Sequence, residues 1–167
     1  MTPNRIDPPY AAGERAMLES WLEYHRATLA WKCEGLDDAQ LRQRAVPPSS
    51  LSLLGLVRHM ADVERSWFRR VLGAEDLPGI YWTDDEPDGD FDNVDTADVQ
   101  EAFATWRSEC DHARRNAAAA DSLDVTGQRR GEAVTLRWIL VHMIEEYARH
   151  NGHADFLRER IDGAVGD

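Results

Sequence analysis

From Thr135 to Arg160 the apolar residues recur at the spacing of an α-helix, and this stretch limits what the chain can fold into more than any other. Projected at about 100° per residue, Leu136, Ile139, Met143, Ala154 and Leu157 form one stripe. Glu146 and His150 fall inside that stripe one turn apart, and His153 falls on its edge. An ionised carboxylate left unpaired on the buried face of a helix costs on the order of several kcal/mol, so Glu146 needs a partner. A carboxylate oxygen and an imidazole nitrogen at i and i+4 share one helix face and can share one divalent ion. A buried glutamate hydrogen-bonded to one or two histidines would meet the same need. Spacing alone leaves both readings open.

Three further segments carry the same periodicity. Gly13 to Cys33 places Met17, Leu18, Trp21, Leu22, His25 and Leu29 on one side. A second helix is predicted to start after Ser49 or Ser50 as N-cap and to end near Gly73, with Leu53, Leu56, Met60, Val63, Trp67 and Val71 inward. His59 flanks that face. A third runs from about Thr96 to Ala120 with Val99, Phe103, Trp106, Cys110 and Ala113 inward. No segment reads as a strand, and Gly35 to Pro48 and Asp121 to Glu132 read as connectors. Four amphipathic helices predict an all-α four-helix bundle, one domain over residues 1–167. The segment 74–95 is far longer than an antiparallel helix pair needs, which allows a crossover between helices 2 and 3. Bundles build their metal and cofactor sites from side chains on facing helices, and His59 on helix 2 with Glu146 and His150 on helix 4 fits that scheme.

Composition removes other classes. A formal net charge of −12 supplies no basic stripe for a phosphate backbone, so nucleic acid is not expected as a partner. No apolar run approaches the roughly 18 residues of a membrane span. The opening MTPNRIDPPY has no apolar leader core, so a cytoplasmic protein is expected. Cys33 and Cys110 sit in no metal-ligand spacing and read as small buried residues. Lys32 is the one lysine among nineteen basic residues, a bias that marks a GC-rich coding genome. Asp84, Glu86, Asp88, Gly89, Phe91, Asp92 and Asp95 partly follow the order of a calcium loop, but Pro87 interrupts it and the last position lacks glutamate.

The segments PPSSLSLLGLVRHMADVERSWF, from Pro47 to Phe68, and EEYARHNGHADFLRE, from Glu145 to Glu159, resemble the DinB-like (YfiT-like) metalloprotein superfamily. The similarity is greatest to the subgroup with mycothiol-dependent maleylpyruvate isomerase and bacterial thiol S-transferases, which carry a His on helix 2 and Glu-x-x-x-His on helix 4. WKCEGLDDAQL, from Trp31 to Leu41, also looks like that subgroup's first helix and its exit. The resemblance implies an up-down-down-up bundle, a homodimer, and one divalent metal held by His59, Glu146 and His150. Zinc is favoured, with nickel and manganese as the other candidates.

Two histidines and one carboxylate leave coordination positions open, the mark of a catalytic and not a closed structural site. With the resemblance, the function expected is a metal-dependent thiol S-transferase, in which a low-molecular-weight thiol, mycothiol by resemblance, attacks an electrophilic small molecule. A metal-dependent hydrolase or isomerase is the first rival, and a bundle that binds metal or a small ligand without turnover is the second. Around the three ligands, His153 could be a fourth ligand or an outer partner, and His25 could line the cavity. Arg149 could reach a polar group of a ligand, and Tyr81 and Trp82 in the acidic segment could form part of a lid or a substrate wall. His142 reads as a flank residue.

Overall fold

Three of the four long helices begin at a side chain that takes up a backbone N–H the helix cannot satisfy itself. In the computed structural model, which describes residues 5–166, Ser52 accepts from Gly55, Asp98 from Glu101 and Thr135 from Trp138. The second helix is thus capped by Ser52 and not by Ser49 or Ser50. The first four residues of the stretch read for a leader lie outside the described residues.

The chain is mostly helical. Helix α1 (Glu14–Cys33) is followed by a short α2 (Asp38–Arg42), which a reciprocal capping box between Asp37 and Gln40 makes possible in the expected connector. Helix α3 (Leu53–Glu64) runs on as a π-helical segment (Arg65–Leu72). A one-turn α4 (Gly89–Asp92) lies in the acidic segment, and α5 (Val99–Ala119) precedes two strands. Helix α6 (Leu136–Asp162) closes the fold and stops at Gly163, whose left-handed φ of 79° suits glycine. Helix α1 packs along α6, and α3 with its π segment packs along α5. No helix of the described residues is long and apolar enough to cross a membrane.

The strands correct the sequence reading. Thr126–Arg129 (β1) and Glu132–Thr135 (β2) form an antiparallel hairpin, β1 inside the stretch taken as a connector and β2 running from its end to the start of the last helix. Its turn places Arg130 at φ 52° and Gly131 at φ 84°, the positive angles that a tight hairpin turn requires. The hairpin is pressed onto the π segment: a Cβ at Gly127 would stand 2.2 Å from the Val71 carbonyl oxygen. Only glycine permits that approach.

Between the helices the core is apolar, with Leu29, Leu53, Leu56, Met60, Leu136, Ile139 and Met143 fully buried. One charged network crosses it. Arg26 gives two hydrogen bonds of 2.7 and 2.6 Å to Glu64, and Tyr147 donates to Glu64 at 2.7 Å while accepting from Trp106 Nε1 at 2.8 Å. Glu64 and Tyr147 are fully buried and Arg26 nearly so. A second buried carboxylate, Glu109 on α5, takes Arg65 and Arg69 of the π segment at 2.7 and 3.1 Å. The π segment is therefore held from one side by an ion-pair cluster and from the other by the hairpin. Trp21, expected in the core, is instead 41% exposed, whereas Trp67 and Trp106 are buried.

Candidate functional site

His59 on α3 faces α6 across a shallow cleft. One ring nitrogen each of His59 and His150 and one carboxylate oxygen of Glu146 all lie within 4.8 Å of one another. Glu146 Oε2 stands 3.5 Å from His150 Nε2 and 4.0 Å from His59 Nε2. The two imidazole rings meet edge to face at 4.7 Å. These are atoms that could hold a metal ion, brought from two helices to one point.

The three side chains are not in the centre of the core. Glu146 keeps 24% of its side chain exposed, His59 25% and His150 12%. Leu136, Ile139, Met143, Tyr147 and Ala154 of α6 are fully buried, so Glu146 and His150 lie beside the buried stripe, Glu146 on the wall of an opening and His150 mostly covered behind it. That corrects the sequence reading of both as core-facing, and it suits a site that small molecules must enter.

Asp90 of α4 completes the arrangement. Its carboxylate takes the Nδ1 side of His59 at 2.8 Å and is nearly buried. The carboxylate keeps a proton on Nδ1 and leaves Nε2 turned to Glu146. Arg58, one residue earlier, donates to the carbonyls of Asp90 and Gly89 at 3.0 Å each, which ties the acidic segment to α3. Burial alone would lower the His59 pKa, but the hydrogen bond to Asp90 and the nearby Glu146 carboxylate outweigh it and raise it to about 9. Contacts from His150 and His59 hold the Glu146 carboxyl well below the usual carboxylate range, against the opposing effect of burial. The donor set thus contains a firmly ionised carboxylate and two histidines, which fits a divalent cation that would take the place of the His59 Nε2 proton.

Residues singled out from the sequence divide into two groups. His153 touches His150, Nδ1 to Nδ1 at 3.3 Å. Trp82 lines the cleft, about 410 Å³ in volume, together with His59, Asp90, Trp67, Arg129, His142 and Glu146. Tyr81 does not line it: its hydroxyl donates to Glu101 at 3.0 Å and its ring lies under Arg58 at 4.1 Å. Arg149 is largely exposed and pairs with Glu145 at 2.7 Å. The His25 ring packs by Trp21 and Tyr24, and its carbonyl accepts from Asn151. Neither Arg149 nor His25 lines the cleft.

Three cleft residues were missed or underweighted. His142 stands 3.5 Å from Glu146 Oε1, stacks on Trp138 at 4.8 Å and meets Trp67 at 4.7 Å. Its position one turn before Glu146 was a usable signal. Asp90 and Arg129 had none, since both reach the cleft through tertiary contacts. The remaining acidic residues do not form a calcium loop among the described residues: Asp95 pairs with Arg44 and Glu86 contacts Asn93.

A comparison with protein families matches residues 17–163 to Mycothiol-S-transferase. The chain belongs to the mycothiol-S-transferase family. A search of the curated proteins gives no match. Membership in the mycothiol-S-transferase family makes the chain an enzyme of the transferase class and agrees with the subgroup that Pro47–Phe68 and Glu145–Glu159 resemble. As a family member it holds no ready nucleophilic cysteine of its own among the described residues. Cys33 and Cys110 are buried free thiols; burial pushes Cys33 up to about 12 and Cys110 higher still.

Proposed function

We propose that this chain is a metal-dependent thiol S-transferase that joins mycothiol to an electrophilic small molecule, with His59, Glu146 and His150 as the metal ligands. The convergence of these three side chains within 4.8 Å, two of them on the wall of an open cleft, in a chain of this family, carries the reading. The pairing of α1 with α6 and of α3 with α5 supports a single domain in which the four long helices form an up-down-down-up bundle, residues 73–98 making the crossover. With both cysteines buried and protonated, the reacting sulfur comes from a second substrate.

A divalent ion, zinc favoured for two imidazoles and a carboxylate, would supply Lewis acidity that keeps the incoming thiol as its thiolate, the nucleophilic form. Glu146 contributes negative charge that offsets part of the ion's charge. Asp90 holds the Nδ1 proton of His59, so the Nε2 proton is the one that an ion would displace. The tryptophans Trp67 and Trp82 give the electrophile an apolar surface.

Purified protein, elemental analysis and a coupled assay with mycothiol and 1-chloro-2,4-dinitrobenzene test this. About one divalent ion per chain is expected, with saturable thioether formation that a chelator stops and added zinc restores. Thioether formation no faster than the uncatalysed rate in zinc-loaded protein would sink the transferase reading.

Asp90 gives a finer test. Outer partners that orient a metal-binding histidine typically change affinity about 10–100-fold. Asp90→Ala is expected to weaken zinc binding by that factor in chelator competition, and Asp90→Asn by less, since an amide oxygen can still accept from His59. Unchanged affinity in Asp90→Ala would remove Asp90 from the site.

A further inference from the structure

Arg129 lines the cleft and has no carboxylate partner among the described residues. It sits on β1 two residues after Gly127, hence on the same face of the strand, and that face is pressed against the π segment by the close approach at Val71. Its guanidinium lies 4.2 Å above the ring of Trp67. Trp67 in turn meets His142, whose Nε2 is 3.5 Å from Glu146. Arg129 therefore stands two side chains away from the proposed metal ligands, half-buried, on the wall of the same cleft. Among the described residues no carboxylate pairs with it, although most arginines of this acidic chain have one, among them Arg26, Arg44, Arg65, Arg69 and Arg137.

The charges of Arg130 and Arg70 act on Arg129 and, after burial, make its cationic form less favourable. Arg70 lies over the ring of Trp82, at 5.9 Å, so both tryptophans that line the cleft carry a guanidinium on one face. Two flat apolar walls topped by positive charge thus face a cleft whose other charged groups, Asp62, Asp90 and Glu146, lie toward the histidine end or beside it, in a molecule of net charge −12. An isolated half-buried guanidinium recovers its cost when a planar anion takes its fork of N–H donors.

We propose that Arg129 holds a carboxylate of the electrophilic substrate, so that the cleft selects flat, anionic electrophiles whose reactive carbon is turned toward the histidines. This rests on the transferase reading. In the test reaction the thiolate sulfur forms a bond to the ring carbon, the carbon–chlorine bond breaks, chloride leaves with the electron pair, and the thiol proton goes to buffer.

The pair 4-chloro-3-nitrobenzoate and 4-chloro-3-nitrobenzamide differs in charge at nearly constant shape, and separates the two claims. Without thiol, calorimetry on the wild type is expected to give at least about ten-fold tighter binding of the carboxylate. That preference should vanish in Arg129→Gln, persist in part in Arg129→Lys, and shrink as salt is raised. With mycothiol and zinc, kcat/KM should follow the same order, the change lying mainly in KM. Equal binding of the two probes, or a preference that survives Arg129→Gln, would overturn the assignment even if both turn over. Binding preference lost in Arg129→Gln without thioether formation would uphold the anion site and fail the transferase reading.

Discussion

Arg26→Ala is expected to destabilise the fold by roughly 3–5 kcal/mol, the usual cost of removing one partner of a buried ion pair. Glu64 is fully buried and its two oxygens are spent on Arg26 and Tyr147, with the Cys110 thiol nearby at 3.6 Å. Without the guanidinium the carboxylate keeps only neutral donors in a medium where an uncompensated charge is costly. The variant also loses the Arg26 stem and its contact with the Phe68 ring. Against a typical total of about 5–15 kcal/mol, this is a large share, so the urea midpoint should fall sharply with little change in slope. The paired replacement Arg26→Met with Glu64→Met should recover much of the loss, because two apolar side chains leave no charge behind. A loss under about 1 kcal/mol in Arg26→Ala would mean that water reaches Glu64. Neither Arg26 nor Glu64 lines the cleft, so metal content should not change in variants that stay folded.

The helices were legible because their apolar residues recur at a period no strand shares. Leu53, Leu56, Met60, Trp67 and Val71 are buried as the pattern requires. The site was legible only in part, and the error in α6 has a simple source. Counting Leu136, Ile139, Met143, Ala154 and Leu157 alone leaves out Leu140 and Tyr147, both buried. Including them turns the centre of the stripe by roughly 20° away from Glu146, which then lies beyond its edge. A tyrosine that spends its hydroxyl on a buried glutamate cannot be recognised as core from one helix. The hairpin escaped because TGQR and EAVT are four residues each and show no alternation of apolar and polar side chains. Its position depends on the fit of Gly127 to Val71, a contact between distant parts of the chain. Asp90 and Arg129 are invisible for the same reason: each gains meaning from a neighbour on another element.

Loss of one metal ligand should have the largest effect on function. In Glu146→Ala and His150→Ala, zinc affinity is expected to fall about 100-fold or more. A divalent ion held by a few protein ligands owes roughly a few kcal/mol to each, and about 1.4 kcal/mol is a factor of ten. Thioether formation should fall with it. Stability separates this from a purely structural carboxylate. An ion that binds only the folded chain stabilises it by about 2.7 kcal/mol at a concentration of 100 times Kd. Zinc should therefore raise the Tm of the wild type and leave that of both variants unmoved. If Glu146 served only to join His59 and His150, Glu146→Ala would lower the Tm with or without zinc, and the wild type would show no rise. The geometry favours the first outcome. Glu146 is a quarter exposed and 3.5 to 4.0 Å from its three histidine neighbours, spacings looser than those of the Arg26–Glu64 pair. A carboxylate kept for structure alone would be expected to close on its partners as Glu64 does, whereas one that shares an ion with them needs the room between.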